Sequence, residues 1–339
     1  MRDDPPPEPA MTPPPVTFFL DADDAAIAAW RTLQPDIEPA RLLLGEDFWI
    51  VLTYCRLRDA GLPVALDNRV ADDGIVVFYA GHKRAVRRQL RRGQRALLVA
   101  VRSDRHPVGF ADCEVVQNAS SADGMRALHL PHWPQPGLRP RDPARGSAIR
   151  TVLFPGTPQN LDPGFAAAPW QAFLHAHAIA LRCSYASGAA PSQAPNDYHD
   201  VDVLLAVRPV AMGLVRNKPA WKLFNAWLAG VPAILGAESG YRELRENPLD
   251  YLEAASPEAA LQALQRLIDD PTQYAAMVAN GMARGAAFTN AATLARWQAL
   301  LFDALARRHA ELRRRPPSLR TRDLREFIAR VRRLWSRAR

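Results

Sequence analysis

Two successive α/β units, each built on a mostly parallel sheet, are predicted by three observations. The chain has 339 residues, more than one hydrophobic core usually serves. Short apolar β-type runs alternate with helical stretches along most of its length, the rhythm of a parallel sheet with crossover helices. That rhythm breaks near the middle, in a segment dense in Pro, Gly and Arg, and then restarts.

The elements follow in order. Residues 1–15 form a Pro-rich, low-complexity leader that cannot pack a core. Strands are expected at 16–20, 62–66, 74–79, 96–101 and 113–118, with helices over 47–60 and 82–92, making a first unit of residues 16–135. The stretch HLPHWPQPGLRPRDPARG, residues 129–146, has neither helical nor strand periodicity and reads as a connection, with 136–146 as the linker proper. A second unit, 147–290, carries strands at 149–154, 201–207 and 231–235, and helices around 169–177 and 218–229. Two further helices follow in SPEAALQALQRLIDD and PTQYAAMVANGMARGA, where Ser256 and Pro257 supply a cap and a first turn.

Composition limits what the chain can be. With 48% apolar and 23% charged residues it has a globular composition, and no window approaches the roughly 18 uncharged apolar residues of a membrane span. The N-terminus is acidic and Pro-rich where a secretory signal would be basic and then apolar, so a cytoplasmic location is expected. Cys55, Cys113 and Cys183 are too scattered for a metal site or disulfide framework and are expected as buried thiols.

The net charge of +8 is unevenly placed: residues 307–339 hold 13 Arg against 3 acidic residues, so residues 1–306 carry about −2. The body lacks basic patches interleaved with aromatics, which argues against nucleic acid as a partner. The tail, 310–339, is amphipathic. On a helix Leu324, Phe327, Ile328, Val331, Leu334 and Trp335 form one stripe, and Arg325, Arg330, Arg332, Arg333 and Arg337 take the other faces. Such a stripe either packs on the protein's own body or lies in an anionic membrane interface through residues 317–339, at the inner face of the membrane.

The most informative segment is RNKPAWKLFNAWLAGVPAILGAESGYREL, residues 216–244. Asn217 suits an N-cap, Pro219 a first turn and Gly230 a helix end, which predicts a helix from about Lys218 to Ala229. Lys218 and Lys222, two of only three lysines in the chain, then lie four residues apart on one face. With Arg216 beside them and unpaired N–H groups at the helix start, they suit a diphosphate. Arg208, at the carboxyl end of strand 201–207, has the position of a phosphate or base contact. Glu238, before Ser239 and Gly240 in the turn after strand 231–235, is placed for sugar or ribose hydroxyls. Glu243 is either a second such contact or a helix-start carboxylate. Gly156, in the FPGT loop, either lets backbone approach a ligand or makes a simple turn.

The string KLFNAWLAGVPAILGAESGYREL resembles the donor-site segment of GT-B glycosyltransferases, where a helix reading like EAMAxGxPVI runs into a strand and a loop like DxGGxxEL. The resemblance spans residues 201–308; in the first half only the order of elements agrees. It implies two Rossmann-like domains with parallel sheets facing an interdomain cleft, and a terminal helix, residues 291–309, that crosses back to the first domain before the basic C-terminal helix. It also implies a nucleotide sugar as co-substrate, no other cofactor, and a glycan or lipid-linked acceptor in the first domain. Aligned on the Gly-x-Pro, Asn217 and Asn225 stand where retaining members carry two glutamates, for the transferred sugar and the nucleotide ribose. An amide still bonds to hydroxyls but brings no charge, so retaining and inverting outcomes stay open.

An acceptor-activating base would come from the first domain. His82 follows strand 74–79 directly, and Asp47, with Glu46, opens a helix; Asp104 and His106 are further candidates. Asp200-Val201-Asp202 has the letters of a metal motif, but its second Asp opens an apolar strand, and a metal-independent reaction is expected. The alternative is a catalytically silent relative that binds a nucleotide sugar or a partner enzyme.

Overall fold

The computed structural model describes residues 13–184, 195–208 and 218–337. The first sheet comprises β1 (Val16–Phe19), β2 (Val64–Asp67), β3 (Ile75–Tyr79), β4 (Leu97–Val101), β5 (Cys113–Val116) and β6 (Ala127–His129). Its order is β2-β1-β3-β4-β5-β6 and every pairing is parallel. Strands β3 and β4 are buried along their whole length, which is why they read as unbroken apolar runs rather than alternating ones. Helices α1 (Asp24–Arg31), α2 (Leu52–Asp59) and α3 (Lys83–Gln89) connect them, and a π-helical turn over Asp47–Val51 leads into α2.

A separate second sheet comprises β7 (Thr151–Phe154), β8 (Ala180–Cys183), β9 (Val203–Ala206), β10 (Ala233–Leu235) and β11 (Leu252–Glu253). Its order is β11-β10-β9-β7-β8, again all parallel. Around it lie α4 (Ala168–Ala176), α5 (Trp221–Ala229), α6 (Ser239–Leu244), α7 (Pro257–Asp269) and α8 (Pro271–Gly285). Ser256 caps α7 by accepting the Ala259 N–H at 3.2 Å. Gly230 closes α5 in the left-handed conformation at φ 69°, a geometry that favours glycine.

The C-terminal helices α9 (Asn290–Gln298) and α10 (Leu305–Arg314) leave the second sheet and complete the first core. Trp297, Leu300, Leu301 and Leu305 are buried with Phe18, Val77 and Val99. α11 (Leu319–Arg337) then lies on the first sheet's flank.

The structure departs from the sequence expectations at several points. The helix predicted from Lys218 begins at Trp221, with Ala220 at its cap and no side-chain capping bond. Pro219 is the cause: proline disfavours helical backbone at the residue before it, which keeps Lys218 outside the helix. Strands β6 and β8 and helix α1 carry too little periodicity over three to eight residues to be legible. Within the proline-rich connection, residues 130–136 are all buried. Cys55 and Cys113 are buried, but Cys183 is only partly so.

Candidate functional site

In open parallel sheets, ligands sit beyond the carboxyl ends of strands where the order reverses. In the second sheet that point lies between β7 and β9. Arg208 follows β9, Gly156 follows β7, Glu238 follows β10 and Lys222 is in the first turn of α5, so four of the expected residues belong to this end of the sheet. Arg216 and Asn217 lie outside the described residues.

Three charged groups form a compact cluster. Glu238 is only 4% exposed. It occupies the cap position of α6 without capping it, because its side chain turns inward toward Arg208, whose Nε lies 3.4 Å from Oε1. Neither Glu238 oxygen has a hydrogen-bond partner among the described residues, and the same holds for Arg208 Nε. Burial pushes the Glu238 carboxyl up, against the pull of Arg208 and Lys222. Lys222 is partly buried with Nζ 4.5 Å from the centre of the Phe154 ring, a favourable cation–π arrangement. Burial and the Arg208 charge push its ammonium down to about 7. A buried acid and two cations without aligned partners are costly to hold, and an anionic ligand with hydroxyl groups would satisfy them.

Glycines shape the same corner. A Cβ on Gly156 would sit 2.9 Å from the Phe154 ring, so this glycine lets the turn fold over the aromatic platform under Lys222. A Cβ on Gly240 would sit 2.5 Å from the Lys218 carbonyl oxygen, so α6 and the lead into α5 approach backbone to backbone. Gly240→Ala is therefore expected to displace residues 218–220, costing about 1–3 kcal/mol of stability and weakening any ligand held there. An unchanged thermal midpoint would show that the backbone yields freely.

The remaining second-unit candidates serve the contact between the two units. Lys218 Nζ pairs with Asp104 at 3.0 Å, and its carbonyl accepts from Asn118 Nδ2 at 3.1 Å. Glu243 accepts from the Ala119 N–H at 2.8 Å and from the Ser120 hydroxyl. Asn225, buried, accepts from the Gln135 N–H at 3.0 Å. Asp104, Asn118, Ala119 and Ser120 follow β4 and β5, so the carboxyl ends of the two sheets face each other.

The aromatic packing at this contact is not among the features expected from sequence. His132 stacks on Trp221 at 4.6 Å and touches Trp49 at 4.6 Å, while Trp221 Nε1 donates to the Trp133 carbonyl. Burial pushes His132 down to about 4. His and Trp inside a proline-rich connection were the available signal, because large rings seldom stay in water when a core is near.

In the first sheet the order reverses between β1 and β3, and His82 stands there. Its Nδ1 accepts from the Asp21 N–H at 3.3 Å, and Nε2 lies 3.7 Å from Glu46 Oε1. Burial pushes the His82 imidazole below its usual value despite Glu46 and Asp21 nearby. Asp47, also buried, accepts the Leu43 and Leu44 N–H groups at 2.9 and 2.8 Å through one oxygen. Burial raises its carboxyl. Asp202 is at the opposite, amino end of β9, where Arg141, Arg145 and two backbone N–H groups take up its oxygens.

Neither a protein-family model nor a curated protein sequence matches this chain. Solved structures do match. The chain is similar to sucrose-phosphate synthase from Thermosynechococcus elongatus, with 12% identity, a TM-score of 0.53, and coverage of 87% of this chain and 100% of that one. It is similar to AviGT4, a glycosyltransferase involved in avilamycin A biosynthesis, with 16% identity, a TM-score of 0.50, and coverage of 87% and 98%. It is also similar to Anabaena HepE in complex with UDP and glucose, with 12% identity, a TM-score of 0.50, and coverage of 86% and 100%. The chain has the GT-B fold.

Proposed function

We propose that this protein transfers a sugar from a nucleoside-diphosphate donor to an acceptor hydroxyl. The observation that carries the reading is the cluster of buried Glu238 with partly buried Arg208 and Lys222 beyond the carboxyl ends of β7, β9 and β10. In this reading the donor diphosphate is met by Lys222 and Arg208, with Lys218 at the rim, and Glu238 accepts from hydroxyls of the sugar or ribose. The bond from the anomeric carbon to the diphosphate oxygen breaks with its electron pair leaving on the diphosphate, whose charge the cations stabilise. The new bond forms to the acceptor oxygen, whose proton goes to a first-domain base.

We assign that proton to the His82–Glu46 pair rather than to Asp47, which spends an oxygen on two backbone N–H groups. With Nδ1 accepting from Asp21, the neutral ring carries its proton on Nε2 toward Glu46, so the Glu46 carboxylate is the accepting group. The acceptor is a glycan or a lipid-linked glycan, and the charge on the leaving group is met without a metal. A neighbour of the same fold is described in complex with UDP and glucose, which makes UDP-glucose the first donor to try.

The test is release of nucleoside diphosphate from nucleotide sugars, with and without acceptor. No release with any donor, together with retained donor binding, favours the catalytically silent alternative. A pH dependence follows from Lys222. Its ammonium is pushed down to about 7 in the unliganded site, whereas a bound diphosphate favours the charged form. Donor affinity should therefore be full below about pH 7 and fall as pH rises, by up to about tenfold per unit. Lys222→Arg should remove the fall, since guanidinium stays charged; a flat wild-type profile between about pH 6 and 9 would contradict the assignment.

A further inference from the structure

We propose that α11 and the basic cavity beside it form a docking face for an anionic lipid bilayer. The helix is fixed to the first sheet's flank by polar contacts. Arg322, 4% exposed, donates to the Phe110 carbonyl at 2.8 Å and to Asp112 at 2.9 Å. Glu326 accepts from the Gly109 N–H at 2.6 Å and from Lys83 at 2.8 Å, and Asp323 pairs with Arg87. The approach is backbone to backbone, since a Cβ on Gly109 would lie 2.5 Å from the Arg325 carbonyl oxygen.

This anchoring decides which way the apolar stripe points. Leu324, Phe327, Ile328, Leu334 and Trp335 are left 58%, 63%, 40%, 54% and 70% exposed. An ordinary amphipathic helix buries that stripe against its own body; here the polar face is the inner one. A contiguous apolar row on an exposed helix marks an interaction surface.

Charge identifies the occupant. A cavity of about 1130 Å³ lies between α11, α3 and the loops after β4 and β5, and Arg84, Arg88, Arg102, Arg126, Arg330 and Arg332 are among its lining residues. Arg102 pairs with Glu114 and Arg126 donates to three carbonyls. Arg84, Arg88, Arg330 and Arg332 make no ion pair among the described residues. Residues 317–339 hold 8 Arg and 2 acidic residues, so a second copy of the chain would bring like charge to the same face. A nucleic acid would match the arginines but leave Leu324, Ile328 and Leu334 in water. An anionic bilayer satisfies both, with phosphate headgroups against Arg330 and Arg332, which flank the apolar row on either side of the helix, and Phe327 and Trp335 at the acyl boundary. This inference stands apart from the sugar-transfer reading.

The full chain should sediment with vesicles of equimolar phosphatidylcholine and phosphatidylglycerol, ignore phosphatidylcholine alone, and be released by salt. Phe327→Ser with Trp335→Ser should weaken that binding about tenfold or more. Arg84→Ala with Arg88→Ala should weaken it and flatten its salt dependence. Both variants should keep the wild-type circular dichroism and nucleotide affinity. The proposal is overturned if the wild type ignores the anionic vesicles at low salt, or if the Phe327/Trp335 variant binds them like wild type. It is equally overturned if sedimentation velocity shows a self-associated chain that this variant dissociates and that no vesicle competes for.

Discussion

Lys222→Ala is expected to weaken donor binding by about 1.5–3 kcal/mol, the range for a hydrogen bond to a charged group, or roughly 10- to 150-fold in Kd. Its Nζ sits over the Phe154 ring beside Arg208 and Glu238, where an arriving diphosphate gains a charge-assisted bond. Arg208→Ala should have a similar effect and should also leave Glu238, already short of partners, without its nearest cation. Lys218→Ala should cost less, at most about 1 kcal/mol, because Lys218 is held by Asp104 in a partly exposed pair at the contact between the units. Titration calorimetry with one nucleoside diphosphate orders the three variants. If Lys218→Ala costs more than Lys222→Ala, the diphosphate lies at the rim and the Arg208–Glu238–Lys222 cluster has another purpose.

Asp202→Ala is expected to destabilise the second unit by about 3–5 kcal/mol, the usual effect of removing one partner from a buried ion pair. Asp202 is fully buried and accepts from Arg141 at 2.8 Å, Arg145 at 2.7 Å and the N–H groups of Arg150 and Thr151. It joins the end of the proline-rich connection to the start of β7 and β9. Burial alone would raise its carboxyl, but these donors together lower it. A depressed carboxylate contributes stability that is complete above its unfolded value of about 3.9 and is lost as pH falls through the folded one. The wild type should therefore lose stability on acidification below about pH 4, with a share of that loss missing in the variant. Urea unfolding at neutral and acid pH measures both, and a neutral-pH change below about 1 kcal/mol would show that Arg141 and Arg145 find water instead.

Legibility followed length and period. The long apolar runs behind β3, β4 and β9, and the capped, strongly amphipathic α7, were readable because burial on both faces or one face imposes a pattern over five or more residues. β6, with three residues, offers no period to read. At the candidate site, the meeting of Arg208, Lys222 and Glu238 at one end of the second sheet was legible from their place at strand and helix ends, since that position follows from topology alone. That Lys218, Glu243 and Asn225 bond to the first unit was not legible, because the Asp104, Ala119, Ser120 and Gln135 they meet lie about 90 to 125 residues away in sequence. The tail's stripe was visible, but its outward direction was not: that depends on Arg322 finding Asp112.

Binding of a nucleoside-diphosphate sugar at the Arg208–Glu238–Lys222 cluster is tested by thermal unfolding of the wild type and Lys222→Ala with UDP-, GDP-, ADP- and dTDP-sugars. A ligand that binds the native state alone raises its stability with the logarithm of concentration over Kd, by about 2.7 kcal/mol at a hundredfold excess over Kd. One nucleotide series is expected to raise the wild-type midpoint, and Lys222→Ala is expected to lose most of the rise while unfolding like wild type without ligand. A wild type that responds to none of them, or a Lys222→Ala variant that responds as strongly, would contradict binding at this cluster.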